Sequence, residues 1–119
     1  MTVAESKIQN NPLACNKTII HDFAKPTLTN GSHYLGGTYY CTVGCFTFIF
    51  ISVAFDSPPN NTILFTLPNG WRPLLYTEIT VSGGGSYNAK AQCVIHENGE
   101  VNVTSVDKWV RGCGIFMRE

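Results

Sequence analysis

Charged residues are scarce in this sequence. Asp, Glu, Lys and Arg make up 13% of its 119 residues, against about 25% in an average soluble domain. Because a monomer normally covers its exterior with such side chains, we expect other subunits to cover part of this exterior. Eight basic and eight acidic residues cancel. Nucleic acid is therefore not expected as a partner, since neutralising its phosphates takes a basic surface.

Long hydrophobic runs are also missing. A transmembrane helix needs about 20 consecutive apolar residues, whereas the longest apolar stretch covers residues 45–55 and is interrupted by Thr47 and Ser52. Residues 1–11 lack the apolar segment of a signal peptide. We expect no membrane insertion, and we expect the five cysteines to be reduced, mostly buried thiols in a protein made in the cytoplasm.

Recognisable catalytic and metal-binding patterns are absent from the sequence. The acidic residues show no spacing typical of a glycosidase, no nucleophile elbow occurs, and residues 83–85 lack the pattern of a phosphate-binding loop. His21, His33 and His96 lack a metal-ligand spacing. We therefore predict no catalytic, cofactor-binding or metal-binding residue and no enzymatic activity. One alternative stays open, in which three chains each contribute a histidine to an ion on a symmetry axis.

Strand-forming residues dominate from residue 34 onward. Residues 38–55 are rich in β-branched and aromatic side chains, and Gly44 marks a bulge, a bend or a break between two strands. Between Phe46 and Phe55, both alternating faces are mostly apolar. A half-exposed strand would alternate with polar residues. We therefore expect the core to cover one face and a second sheet or a neighbouring subunit to cover the other.

Frequent turn signals divide the remaining chain into short strands. Residues 56–61, 68–70 and 83–85 are predicted turns or loops, and Asn98-Gly99 predicts a hairpin with a type I′ turn. Six to eight strands with almost no helix predict an all-β, antiparallel sandwich or jelly roll. We assign this head domain to residues 34–119. The polar residues 1–33 are interpreted as an N-terminal lead-in or connector, with a weak signal for a short helix within residues 15–24.

Aromatic residues near loops and strand ends are the candidate ligand-binding residues. Tyr87, Asn88 and Trp109 combine rings with a nearby amide. Such a set suits saccharides, whose C–H faces stack on rings while their hydroxyls bond to amides. The alternative is that these aromatic residues lie at a subunit interface.

A turn-rich heptapeptide, Leu67–Pro73, is the most specific segment. Pro68 and Gly70 are expected to form a turn, Trp71 to cap the edge of the core, and the fork of donors on Arg72 to reach carbonyls or an acid. These roles are structural. They predict a role in the fold and say little about the ligand.

This heptapeptide, LPNGWRP, resembles the LP-x-G-[YW]-R-P signature of head domains in bacteriophage tail fibres, baseplates and receptor-binding proteins. An I-x-x-[DN]-G-x-V-x-V hairpin follows at Ile95–Val103, and a final strand includes Gly114–Phe116. The resemblance covers residues 36–117. It implies a small β-sandwich that trimerises about a three-fold axis and attaches the virion to the host surface, often to wall polysaccharide or teichoic acid.

The expected function is thus a non-catalytic attachment module in the virion. We predict a homotrimeric tail-fibre or baseplate head domain, in contact with other tail proteins, that binds a host cell-wall polysaccharide or teichoic acid. One alternative is a lectin-like adhesin or carbohydrate-binding module of a bacterium or prophage. A wall-polysaccharide hydrolase is a further alternative.

Overall fold

The computed structural model describes residues 20–28, 32–57, 61–84, 91–106 and 108–119. These residues form two antiparallel sheets and contain no helix, so the predicted all-β, antiparallel class is confirmed. Ten strands are defined in this part of the chain: β1 Ile20–Ala24, β2 Ser32–Tyr34, β3 Tyr39–Val43, β4 Phe46–Phe55, β5 Asn61–Thr66, β6 Thr77–Ile79, β7 Val81–Gly84, β8 Gln92–Ile95, β9 Glu100–Thr104 and β10 Trp109–Met117.

The first sheet is built around the two longest strands. Its order is β1-β3-β4-β10-β7, and β2 pairs with the C-terminal end of β4. The second sheet has the order β5-β9-β8-β6. No described helix is long and apolar enough to cross a membrane.

Gly44 separates two strands of a hairpin, which decides among the three predicted roles for this residue. Val43 pairs with Phe46, so Gly44 and Cys45 form a two-residue loop between β3 and β4. Gly44 has a φ of +58°. A positive φ at the first loop position is the requirement of a type II′ turn, and glycine meets it without a steric penalty.

The two faces of β4 have different environments. The face of Thr47, Ile49, Ile51, Val53 and Phe55 is buried and forms the centre of the core. On the opposite face Phe46 and Phe48 are half-buried, and Phe50 is 38% exposed. The second sheet therefore covers only one of the two apolar faces, and the side chains of the other face are partly exposed.

The second sheet supplies the other half of the core. Besides the buried Thr62 of β5, its inward side chains are aliphatic or aromatic apart from one thiol, and burying them is the main source of the stability of a fold of this kind. They are Leu64, Phe65, Ile79, Cys93, Ile95, Val101 and Val103.

Strands β6 and β7 are one stretch of chain that crosses from the second sheet to the first at Thr80. Two glycines on β10 permit this crossing. A Cβ atom on Gly112 would lie 2.6 Å from the Thr80 carbonyl oxygen, and one on Gly114 would lie 2.5 Å from Ile79 Cγ2. Strands β6 and β7 therefore belong to different sheets, and the backbones of β10 and of the crossing segment approach each other closely at Thr80.

The hairpin at Asn98-Gly99 exists, but its predicted type I′ turn is wrong. The Gly99 amide donates to the His96 carbonyl at 2.8 Å, and the His96 amide donates to Glu100 at 3.0 Å. Only Gly99 of the loop has a positive φ, +92°, whereas a type I′ turn needs two such residues. The loop is thus three residues long, Glu97 to Gly99, with glycine in the bulge position.

The described part of the predicted lead-in adds strands to the first sheet. Strand β1 pairs with β3, and β2 pairs with β4. Residues 20–24 are a strand, which corrects the helix signal there, and residues 15–19 lie outside the described residues. The division into a lead-in (1–33) and a head domain (34–119) stays a prediction.

Candidate functional site

Trp109 is the predicted ligand-binding residue that the structure places. Tyr87 and Asn88 lie outside the described residues. Trp109 begins β10 and pairs with Ala54 of β4 on one side and with Gly84 of β7 on the other. It lies on the outer face of the first sheet and is half-buried.

The Trp109 indole rests on Gly84. A Cβ atom at Gly84 would lie 2.1 Å from Cζ2 of the ring, so no larger residue could occupy this position without moving the indole. Gly84 is also the last described residue before the segment that contains Tyr87 and Asn88. The ring is therefore positioned by the edge strand β7, from which that segment continues.

Arg111 and Ser82 complete a polar group around this ring. Arg111 follows Trp109 by two positions, so it lies on the same face of β10, and its guanidinium carbon is 5.2 Å from the Trp109 ring centroid. Ser82 is the cross-strand partner of Arg111. We call Trp109, Arg111, Ser82 and Gly84 the Trp109 platform. It combines an aromatic surface, a cationic fork of donors and a hydroxyl.

The platform suits a ligand that has both apolar C–H faces and oxygen acceptors. An arginine near an aromatic ring is held by cation–π attraction. Its planar fork still presents donors that match phosphate and carboxylate oxygens. Arg111 and Ser82 were absent from the sequence prediction. The Trp-x-Arg alternation at residues 109–111 was the signal that could have found Arg111, because alternate residues of a strand share a face.

An open polar groove lies on the edge where β6 continues into β7. Its volume is about 360 Å³, and the polar residues that line it are Glu78, Thr80 and Gln92. Val81 and Ala91 supply apolar surface. The groove adds hydrogen-bonding groups to the same edge of the sandwich that carries β7.

His33 lies beside an acidic side chain and His96 beside an aromatic one. His33 Nδ1 is 3.7 Å from an Asp56 carboxylate oxygen, and both side chains are largely exposed. The His96 ring contacts Tyr76 edge-on, with centroids 5.6 Å apart. Across the residues that the structure describes, no three metal-ligating side chains form a cluster. The ion on a symmetry axis stays an untested alternative.

The cysteines differ in their environments. Cys93 and Cys113 are free thiols, the first buried in the core and the second exposed on β10. Cys45 is disulfide-bonded. The expectation of five reduced thiols is therefore wrong for Cys45. Burial in apolar surroundings raises the pKa of the Cys93 thiol to about 12.

The ionisation of Cys93 predicts a loss of stability at alkaline pH. The folded thiol keeps its proton up to about pH 12, whereas the ordinary value is 9.0. Between these values the unfolded state releases the proton and the folded state does not. The free energy of unfolding should then fall by ~1 kcal/mol per pH unit. Below pH 9 the thiol is protonated in both states, so its ionisation does not change the free energy of unfolding there. Urea unfolding of the wild type and of Cys93→Ala from pH 7 to 11 measures it. Equal slopes in the two proteins would contradict the prediction.

The Leu67–Pro73 heptapeptide has the structural role that the sequence predicts, and we call it the clamp. The Trp71 amide donates to the Pro68 carbonyl at 3.2 Å, which closes a turn with Gly70 at a φ of +87°. Arg72 Nε donates to the Leu67 carbonyl at 2.8 Å. The Trp71 ring lies edge-on to Tyr40, with centroids 5.0 Å apart. These contacts lie within the protein, so the heptapeptide holds the fold together.

The C-terminal residues lock this clamp to the first sheet. Arg118 Nε donates to the Gly44 carbonyl at 2.8 Å, and its Nη1 donates to the Gly70 carbonyl at 2.7 Å. The Gly70 amide in turn donates to Glu119 Oε2 at 3.0 Å. The hydroxyl of Thr47 donates to the Trp71 carbonyl at 2.8 Å. Strand β4, the β3–β4 turn and the chain end therefore meet at this turn.

Comparisons with known proteins found no relative of this chain. No protein-family model, no curated protein and no solved structure matches the chain.

Proposed function

We propose that this chain is a non-catalytic attachment module of a bacteriophage tail fibre or baseplate. It acts as a homotrimer in the virion, contacts other tail proteins and binds saccharide on the host cell wall. The proposal is supported by the LPNGWRP clamp within an all-β, antiparallel fold of the size that the resemblance implies.

The Trp109 platform carries the ligand-binding part of the proposal. Its indole offers a surface for the C–H face of a sugar or polyol, and Ser82 offers a hydroxyl partner. Arg111, whose guanidinium carbon lies 5.2 Å from the ring, would pair with the phosphates of teichoic acid or with sugar hydroxyls. Host cell-wall polysaccharide and teichoic acid are the two ligand classes that this chemistry fits.

The mechanism is avidity. One small, exposed platform has few contacts and would bind a saccharide weakly, with a dissociation constant on the order of millimolar. Three such platforms on one trimer would bind a repeating polymer far more tightly, because the second and third contacts form at a high effective concentration. A fibre tip with weak single sites can therefore attach firmly to a wall made of repeats.

Substitution of Trp109 tests the platform. We expect Trp109→Ala to weaken binding to purified wall polysaccharide or teichoic acid by about tenfold per site, since the stacking surface is lost. Trp109→Phe should retain most of the affinity, and Arg111→Met should weaken binding to teichoic acid more than to neutral polysaccharide. Calorimetry with each polymer measures these changes.

The matched control is Tyr76→Ala. Tyr76 is 59% exposed and contacts His96, away from the platform, so its loss should leave binding unchanged. Wild-type affinity in Trp109→Ala would contradict the assignment of the platform. A trimer by light scattering separates the proposal from a monomeric lectin-like module. Release of reducing sugars from the wall would show a hydrolase and overturn the non-catalytic reading.

A further inference from the structure

The polar groove opens where two strands of the second sheet separate. Ile79 and Cys93 are the last residues through which β6 pairs with β8. Beyond this pair the chain crosses to the first sheet at Thr80 and continues as β7, whereas β8 begins with Gln92 on the other side of the gap. The cavity of about 360 Å³ lies between the two diverging strands. It is therefore produced by the change of sheet at Thr80.

The crossing chain connects this groove to the Trp109 platform. Along it, exposed residues alternate with residues that pack in the core. The exposed ones are Glu78, Thr80 and Ser82, and the ones between them are Ile79 and Val81. Alternate residues of an extended chain share a face, so the groove and Ser82 lie on one polar track, which spans at most about 13 Å from Glu78 to Ser82.

The two ends of the track carry opposite charges. Ser82 of β7 is the cross-strand partner of Arg111 on β10, so a guanidinium lies at the platform end. Glu78 supplies a carboxylate at the groove end, and its side chain is exposed. Within the ranges that the structure describes, no cationic side chain forms an ion pair with Glu78. A ligand that lies along the track therefore meets a cation at one end and an anion at the other.

We propose that the groove is a second subsite for the same saccharide chain, and that it binds a repeat which carries a free amino group. The inference rests on the proposed function, because the chain is held at the Trp109 platform as well. The Glu78 carboxylate accepts hydrogen bonds from the ammonium group of such a repeat. Thr80 and Gln92 supply a hydroxyl and an amide for the hydroxyls of the sugar.

The Glu78 carboxylate also discriminates between the two ligand classes of the proposed function. Teichoic acid is a polyanion, because each repeat carries a phosphate. A chain bound to Arg111 through one phosphate brings the following phosphates towards Glu78, where the negative charges repel each other. A wall polysaccharide with amino sugars meets no such repulsion and gains a charge pair. The track therefore favours an amino-sugar polysaccharide over teichoic acid.

Removing the charge of Glu78 provides the test. The probes are a glucosamine hexamer, its N-acetylated counterpart and purified teichoic acid, titrated at low salt and followed by NMR. We expect Glu78→Gln to weaken binding of the glucosamine hexamer by about two- to fivefold, the range of an exposed charge pair. The same substitution should strengthen binding of teichoic acid and leave binding of the N-acetylated hexamer unchanged.

Two further variants complete the experiment. The matched control is Glu97→Gln, since Glu97 is an exposed carboxylate in the β8–β9 loop, outside the groove. It changes the net charge by the same amount and should leave all three affinities as in the wild type. Gln92→Ala should weaken both hexamers alike, by about two- to tenfold, because one amide partner is lost. Circular dichroism confirms that each variant is folded.

Two results would overturn the inference. The first is an affinity for the glucosamine hexamer that Glu78→Gln leaves unchanged. The second is an equal loss in Glu97→Gln, which would show attraction to acidic side chains in general. In either case, weaker binding of wall polysaccharide by Trp109→Ala would still support the platform. Binding that Glu78→Gln weakens and Trp109→Ala leaves intact would assign the ligand to the groove and contradict the platform. The two proposals can therefore fail separately.

Discussion

Truncating Leu64 to alanine should lower the free energy of unfolding by about 2–5 kcal/mol. Leu64 is completely buried in β5 and belongs to the core between the two sheets. The substitution removes apolar contacts and leaves a cavity. The two packed sheets can relax only partly to fill it. For a domain of ordinary stability, such a loss is a large fraction of the total.

Leu75→Ala is the matched control for this effect. Leu75 is 73% exposed and lies between the clamp and β6, so the same change of side chain should alter stability by less than about 0.5 kcal/mol. Urea unfolding followed by circular dichroism compares the two variants. Equal losses in both would mean that Leu64 does not lie in a packed core.

Replacing Arg118 with methionine should lower the free energy of unfolding by about 2–4 kcal/mol. The guanidinium donates to the carbonyls of Gly44 and Gly70. Methionine keeps much of the apolar stem but supplies no donor, so both carbonyls lose a charge-assisted partner. The β3–β4 turn and the Pro68–Trp71 turn would also lose their connection to the chain end.

Two further variants separate the fork of donors from the charge. Arg118→Lys keeps the positive charge, but its single ammonium cannot reproduce the fork geometry, so it should recover less than half of the loss. Lys108→Met removes a charge from an exposed side chain and should have an effect below about 0.5 kcal/mol. Full stability in Arg118→Lys would show that charge alone maintains the clamp.

The sequence predicts well those strands and turns that depend on local residue patterns. The β-branched and aromatic residues 46–55 form the predicted strand β4, and the strands on either side of Asn98-Gly99 form the expected hairpin. The turn at Pro68–Trp71 follows from Pro68 and Gly70, because glycine adopts the positive φ found there. Each of these features depends on residues that are close in the chain.

The candidate site is harder to predict because its members come from different strands. The sequence predicts Trp109 as a candidate ligand-binding aromatic near a strand end, but the contact of its ring with Gly84 depends on the pairing of β10 with β7. The polar groove joins Glu78 to Gln92 through the pairing of β6 with β8. A single sequence carries no signal for such registers.

Composition and alternation thus determined the all-β class, the two-faced apolar strand β4 and the structural role of the LPNGWRP heptapeptide. Tertiary structure decided the three-residue loop at Gly99, the division of β6 from β7 at Thr80 and the exposure of one face of β4. The reason is physical. Side-chain periodicity and turn preferences act over a few residues, whereas strand partners, sheet-to-sheet approach and the coverage of a face depend on residues far apart in the chain.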